Sequence, residues 1–144
     1  MKCKNCPGYM ISNNPLDLNS SWSCLECQSV EKSQTIFGLI LEFNIIFQKC
    51  IKNKFKLEEL LSCKIAKYFH PNHFLLIGIM EQLVQIAMAE EKLETDILKK
   101  KKIYDKKLKY FKKITSVMEV IDVPGYLWTQ SLQKMINEEK KLYT

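Results

Sequence analysis

Apolar positions are spread unevenly along the 144-residue chain. The first 29 residues are mostly polar. Tyr9-Met10-Ile11 suits a short strand there, and Asn13, Asn14, Pro15 and Asp17 are turn formers. From Ser29 the period-two alternation disappears. Residues 33–50 carry Ile36, Phe37, Leu39, Ile40, Leu41, Phe43, Ile45, Ile46 and Phe47 on nearly every side, and the length of the run predicts a buried helix rather than a strand. Lys52-Asn53-Lys54 breaks it. Leu57, Leu60, Leu61, Ile65 and Tyr68 then recur at helical spacing and predict a second helix over 56–69. His70-Pro71-Asn72-His73 ends that helix, because proline disfavours helical geometry at His70, and Asn72 is the expected N-cap of the next. Residues 74–88 are apolar almost all round, which predicts a central third helix, with Gly78 marking a close helix crossing. A fourth helix is expected over 94–121, roughly 40 Å long. Tyr104, Leu108, Phe111, Ile114, Met118 and Ile121 form its buried stripe. Pro124 opens a final amphipathic helix with Trp128, Leu132, Met135, Ile136 and Tyr143. Five helices joined by short turns predict antiparallel neighbours, stacked as helical hairpins that resemble degenerate tetratricopeptide units. The expected fold is therefore mainly α: a small module over residues 1–29, then an antiparallel helical domain over 30–144.

The cysteines add chemistry to the polar N-terminal stretch. Cys3-Lys-Asn-Cys6 and Cys24-Leu-Glu-Cys27 are two Cys-x-x-Cys pairs separated by residues 7–23, a spacing suited to a four-cysteine zinc site. Two thiolates three positions apart fit on one tight turn, and the spacer brings back a second turn to complete a tetrahedron. Pro7-Gly8 supplies a bend and a residue free to take positive φ. Cys3, Cys6, Cys24 and Cys27 are thus the expected ligands of one structural zinc ion, with no position left for water. Lys2 and Lys4 sit beside the excess thiolate charge, and Trp22 is expected to cover the sulfurs. The competing readings are two disulfides or four unpaired buried cysteines. Met1-Lys2-Cys3 runs straight into the motif without an apolar signal region, which predicts a reducing compartment, cytoplasmic and/or nuclear and not secreted. Few large apolar residues occur before Ser29, so ordering this segment is expected to depend on the metal while the later helices fold without it.

Charge narrows the partners. The net charge is +6, and all 22 basic residues are lysine. Without arginine there is no bidentate fork for guanine edges or phosphates, so sequence-specific nucleic-acid reading is not expected. Residues 99–113 hold nine lysines against Asp105, a local +8. That stretch reads as a solvated helix face, or as a surface for weak, salt-sensitive and non-specific polyanion binding. No run of 18 apolar residues occurs, so no membrane partner is expected. His70, His73, Cys50 and Cys63 match no ligand spacing and read as caps and core. Glu58-Glu59 and Glu90-Glu91 read as helix-surface charges. No nucleophile–base pair, phosphate loop or open metal site is visible, so no catalytic and no cofactor-binding residue is assigned.

Several stretches together resemble one family. Cys3-x-x-Cys6-x-Gly8-Tyr9-Met10, Asn14-Pro15-Leu16-Asp17 and Trp22-Ser-Cys24-Leu-Glu-Cys27 resemble the cysteine-rich segment after the SET core of SMYD-type proteins, with the arthropod branch nearest. His70-Pro71-Asn72-His73-Phe74, Leu83-Val84-Gln85 and Val120-Ile-Asp-Val-Pro124-Gly125-Tyr126 resemble the helical C-terminal domain of that branch, in matching order. SMYD proteins are S-adenosylmethionine-dependent protein-lysine methyltransferases, usually with a MYND zinc finger. Nothing here matches the glycine-rich cofactor segment of the SET domain, its Asn-His-x-Cys motif or its tyrosine near Gly-Glu-Glu, and MYND is missing too. The resemblance therefore implies a non-catalytic C-terminal region, expected as a partial gene product or truncated paralogue. S-adenosylmethionine would enter only with an upstream SET domain. The implied partner is a SET domain, in cis or in trans, beside which the helical domain walls the substrate cleft. A second reading is a free-standing zinc-ribbon and helical-repeat adaptor for proteins, acidic ones among them.

Overall fold

The computed structural model describes residues 1–121 together with Lys134 and Asn137. The helix expected from Pro124 onward lies outside the described residues. The described chain is mainly helical with one small sheet, and it divides into two compact units, Met1–Ile79 and Met80–Thr144.

The first unit begins with a three-stranded antiparallel sheet: β1 (Met10–Ser12), β2 (Trp22–Cys24) and β3 (Val30–Glu31), in that order. Register pairs Met10 with Cys24, Ile11 with Ser23 and Ser12 with Trp22, while Ser23 pairs with Val30. Alternation then sorts the side chains. Met10 and Cys24 share the inward face and are buried, while Ile11 and Val30 fall on the other face and are exposed. The β1–β2 loop closes through polar bonds. Asn13 N–H donates to Ser21 O at 3.0 Å, Leu16 N–H to Asn14 Oδ1 at 3.1 Å, and Asn19 N–H to Asp17 Oδ1 at 2.9 Å. These are the turns that asparagine and aspartate favour.

Helix α1 (Ser33–Cys50) follows. Ser33, Ile36, Phe43 and Phe47 are buried, but Phe37, Leu41 and Ile45 are exposed at i, i+4 and i+8. An apolar run on every side of a helix predicts full burial; here Phe37, Leu41 and Ile45 stay exposed among the described residues. Helix α2 (Lys54–Glu59) is capped by Asn53, whose Oδ1 accepts from Lys56 N–H at 3.1 Å. It is much shorter than the helix expected over 56–69. The chain passes instead into a π turn at Leu60–Lys64 and a 3-10 turn at Ile65–Lys67. The reason lies in the buried positions Leu57, Leu60, Ile65 and Phe69. The step from Leu60 to Ile65 is five residues, which an α-helix would rotate off the face and an i→i+5 turn keeps on it. Tyr68 is exposed and Phe69 takes the core position, where its ring meets Phe43 edge-to-face at 5.4 Å.

Helix α3 (Phe74–Leu93) outlasts its expected end at Met88 by five residues, with Glu90, Glu91 and Lys92 continuing it. Its cap is His73 rather than Asn72: His73 Nδ1 accepts from Leu75 N–H at 3.3 Å, and His73 O from Leu76 N–H at 2.9 Å. Gly78 faces α1, and a Cβ added there would meet the Phe47 ring at 3.6 Å. That is ordinary van der Waals separation. The helices approach here, but glycine is not what permits it.

In the second unit, α4 (Ile97–Ile121) starts three residues later than expected. Glu94 Oε1 accepts from the N–H groups of Thr95 and Asp96, and Asp96 Oδ1 accepts from Leu98 and Lys99, making Asp96 the N-cap. The buried side chains of this unit are Met80, Leu83, Val84, Ala87 and Glu91 on α3, with Tyr104, Lys107, Phe111, Ile114 and Val117 on α4. Leu108 and Met118 of the expected stripe are half-buried. Two charges assigned to surface faces are therefore inside: Lys107 is 1% exposed, and its Nζ donates to Glu91 Oε2 at 2.5 Å.

Candidate metal centre

The four expected ligands come together. The sulfurs of Cys3, Cys6, Cys24 and Cys27 all lie within 4.8 Å of one another, and this cluster could hold a metal ion. Cys3 Sγ is 3.6 Å from Cys27 Sγ, and Cys6 Sγ is 3.5 Å from Cys24 Sγ. A disulfide needs about 2.05 Å; all six cysteines are free thiols.

Each Cys-x-x-Cys pair sits on the same local construction. In the first, Cys3 N–H donates to Gly8 O at 2.9 Å; in the second, Cys24 N–H donates to Ser29 O at 2.9 Å. Asn5 N–H points to Cys3 Sγ at 3.3 Å, Gly8 N–H to Cys6 Sγ at 3.4 Å, and Glu26 N–H to Cys24 Sγ at 3.4 Å. Backbone dipoles aimed at sulfur favour the thiolate, the form that ligates a metal.

The conformational demand falls on a different residue from the one expected. Gln28, directly after Cys27, has φ 58°. Gly8 is required for space instead. A Cβ there would overlap Glu26 Cγ, and would come within 2.9 Å of Glu26 Cβ and 3.1 Å of Cys24 Sγ. The glycine of the first knuckle thus makes room for the second.

Ser29 went unnoticed in the sequence. Its Oγ lies 3.2 Å from both Cys3 Sγ and Cys27 Sγ, bridging the two knuckles. The Ser29 hydroxyl and the Asn5 N–H bring the Cys3 thiol down to about 6, and Ser29 also lowers Cys27. At Cys6 the Gly8 N–H favours the thiolate, but burial and the neighbouring sulfurs of Cys24, Cys27 and Cys3 outweigh it and push the thiol up to about 12. Four sulfurs this close cannot all ionise unaided, because each thiolate opposes the next. A bound dication removes that conflict.

The lysines and the tryptophan take other partners. Lys2 Nζ donates to Ala66 O at 2.6 Å and Lys2 N–H to Tyr68 O at 2.8 Å, while Lys4 pairs with Glu31 at 3.0 Å. Trp22 meets Phe37 of α1 edge-to-face at 6.4 Å, and Tyr9 meets the His70 ring at 4.4 Å. The cysteine module is thus pinned to α1 through β2, and to the Ala66–His70 segment through the strand-like edge on either side of the first knuckle. His70 and His73 join no metal cluster among the described residues, and neither do Cys50 and Cys63. His73 stacks between Phe69 and Phe74, and burial lowers it to about 4, with the nearby amino terminus and His70 adding to the effect. That keeps Nδ1 unprotonated, as its capping role requires. No helix among the described residues is long and apolar enough to cross a membrane. Comparison with known protein families, curated proteins and solved structures finds no match.

Proposed function

We propose that this chain is a zinc-stabilised helical interaction module without catalytic groups of its own, of the kind that follows the SET core in SMYD-type methyltransferases. The closed four-sulfur cluster carries the reading. Zinc bound by four thiolates at about 2.3 Å gives tetrahedral edges of about 3.8 Å, and two of the sulfur pairs, at 3.5 and 3.6 Å, are already close to that. Such a site has no open position for water or substrate, so the ion organises structure instead of activating a reactant. Helices stacked in tetratricopeptide-like pairs are the matching expectation for the rest. The contact surface is the outer face of α1, where Phe37, Leu41 and Ile45 stand exposed. A contiguous apolar face of this kind marks an interaction site.

The test is direct binding of the purified, zinc-loaded chain to a separately expressed SET core of the SMYD type, with Leu41→Asp/Ile45→Asp as the surface variant. Saturable binding lost in that variant supports the reading. Binding of the wild type to unrelated acidic proteins, with none to the SET core, would favour the adaptor instead.

A further inference from the structure

The α3–α4 turn combines two features that the interaction-module reading does not use. Leu93, Ile97 and Leu98 are exposed at 84%, 78% and 74%, close together in sequence around a three-residue turn. Lys92, Lys99, Lys101 and Lys102 flank them and are exposed as well. The acidic residues of the turn face the backbone: Glu94 caps Thr95 and Asp96, and Asp96 caps Leu98 and Lys99. Lys99–Lys102 form no ion pair among the described residues.

The N-terminal end of a helix carries positive partial charge and favours anions, and here the Asp96 cap meets it, with Lys99–Lys102 following in series directly after. Beyond the cap, four lysines in succession stand beside three large exposed aliphatic side chains.

We propose that this turn docks on a bilayer surface rich in anionic headgroups. The lysines are drawn to the headgroups, and Leu93, Ile97 and Leu98 enter the boundary with the acyl chains. A nucleic-acid backbone would satisfy the lysines equally well but would leave the aliphatics in water. Its binders add aromatic stacking or arginine; in α4 Tyr104 and Phe111 are buried and Tyr110 is half-buried, and the chain has no arginine. That no helix among the described residues is long and apolar enough to cross a membrane does not bear on a surface contact of this kind.

Co-flotation of the full zinc-loaded chain with phosphatidylcholine vesicles, with and without phosphatidylserine, tests the proposal. Binding is expected only to the anionic vesicles and should fall as salt rises. Lys101→Gln/Lys102→Gln should weaken it by roughly 25-fold, about fivefold per lysine, given ~1 kcal/mol for each basic residue near an anionic surface. Ile97→Ser or Leu98→Ser should each weaken it roughly tenfold, the loss expected for one partly inserted aliphatic side chain. Lys112→Gln, roughly 15 Å further along α4, should change it little. All these side chains are exposed, and unchanged circular dichroism verifies that the variants fold. Equal binding to neutral vesicles, or no binding to anionic ones, would overturn the proposal. So would binding to anionic vesicles and to duplex DNA alike that ignores Ile97→Ser and Leu98→Ser, since that is plain polyanion attraction.

Discussion

Replacing Lys107 by methionine tests the interior of the second unit. Lys107 and Glu91 form an ion pair at 2.5 Å with side-chain exposures of 1% and 11%, and the Lys107 ammonium lies 5.3 Å from the centre of the Tyr104 ring. At an effective dielectric constant of about 20 such a pair attracts by roughly 4–6 kcal/mol, but removing each ion from water costs several kcal/mol, so its net contribution is small. Removing one partner is another matter. Lys107→Met leaves the Glu91 carboxylate inside without its ammonium, and the expected loss is about 3–5 kcal/mol. Lys107→Met/Glu91→Leu removes both charges at similar volume and should return to within about 1 kcal/mol of the parent, or exceed it. Urea denaturation followed by helical circular dichroism gives the cycle, with an expected coupling of at least about 2 kcal/mol. The deficit of Lys107→Met should also narrow as pH falls, because a buried carboxylate deprived of this ammonium lessens its penalty by taking up a proton. A single-variant loss below about 1 kcal/mol, or a double variant as unstable as the single, would refute the placement of this pair in the interior.

Four further outcomes follow from the first unit. Gly8→Ala drives a methyl into Glu26 and towards Cys24 Sγ, and should lower both zinc affinity and thermal stability. Gln28→Gly relieves a positive φ and should raise stability by up to about 1 kcal/mol, both read by thermal melts in zinc-buffered solution. Gly78→Ala places a methyl at ordinary contact distance from Phe47 and should stabilise by about 0.5–1 kcal/mol in the same assay; a destabilised variant would mean that the helices sit closer than described. His73 is lowered from 6.5 to about 4 by burial, so between those pH values the unfolded chain binds a proton that the folded chain refuses. Stability due to this group is complete above pH 6.5 and declines as pH falls towards 4, by about 1 kcal/mol once its partial exposure is allowed for. Subtracting the profile of His73→Gln should isolate that slope, and identical profiles would contradict it.

The cysteine site was legible because ligation fixes residue type and spacing together: two Cys-x-x-Cys turns have few other uses. What surrounds the sulfurs was less so. Ser29, Gln28 and the steric role of Gly8 depend on how the two knuckles face each other, and no local pattern encodes that. Helix existence was likewise readable from periodicity, but the break after Glu59 was hidden in a single five-residue step between Leu60 and Ile65, which apolar counting treats as helical. The exposure of Phe37, Leu41 and Ile45 among the described residues could not be foreseen, since an apolar run announces something to be buried without saying what covers it. Lys107 was misplaced for a related reason. Among nine lysines in a short segment, only the tertiary position of Glu91 singles one out.

The central claim is a closed four-thiolate zinc site, and X-ray absorption at the zinc edge of the purified chain tests it most directly. The account predicts one zinc per chain with four sulfur scatterers at about 2.3 Å, and Cys24→Ser should lose that shell. A protein lacking zinc, or a zinc shell with nitrogen or oxygen in place of sulfur, would contradict it.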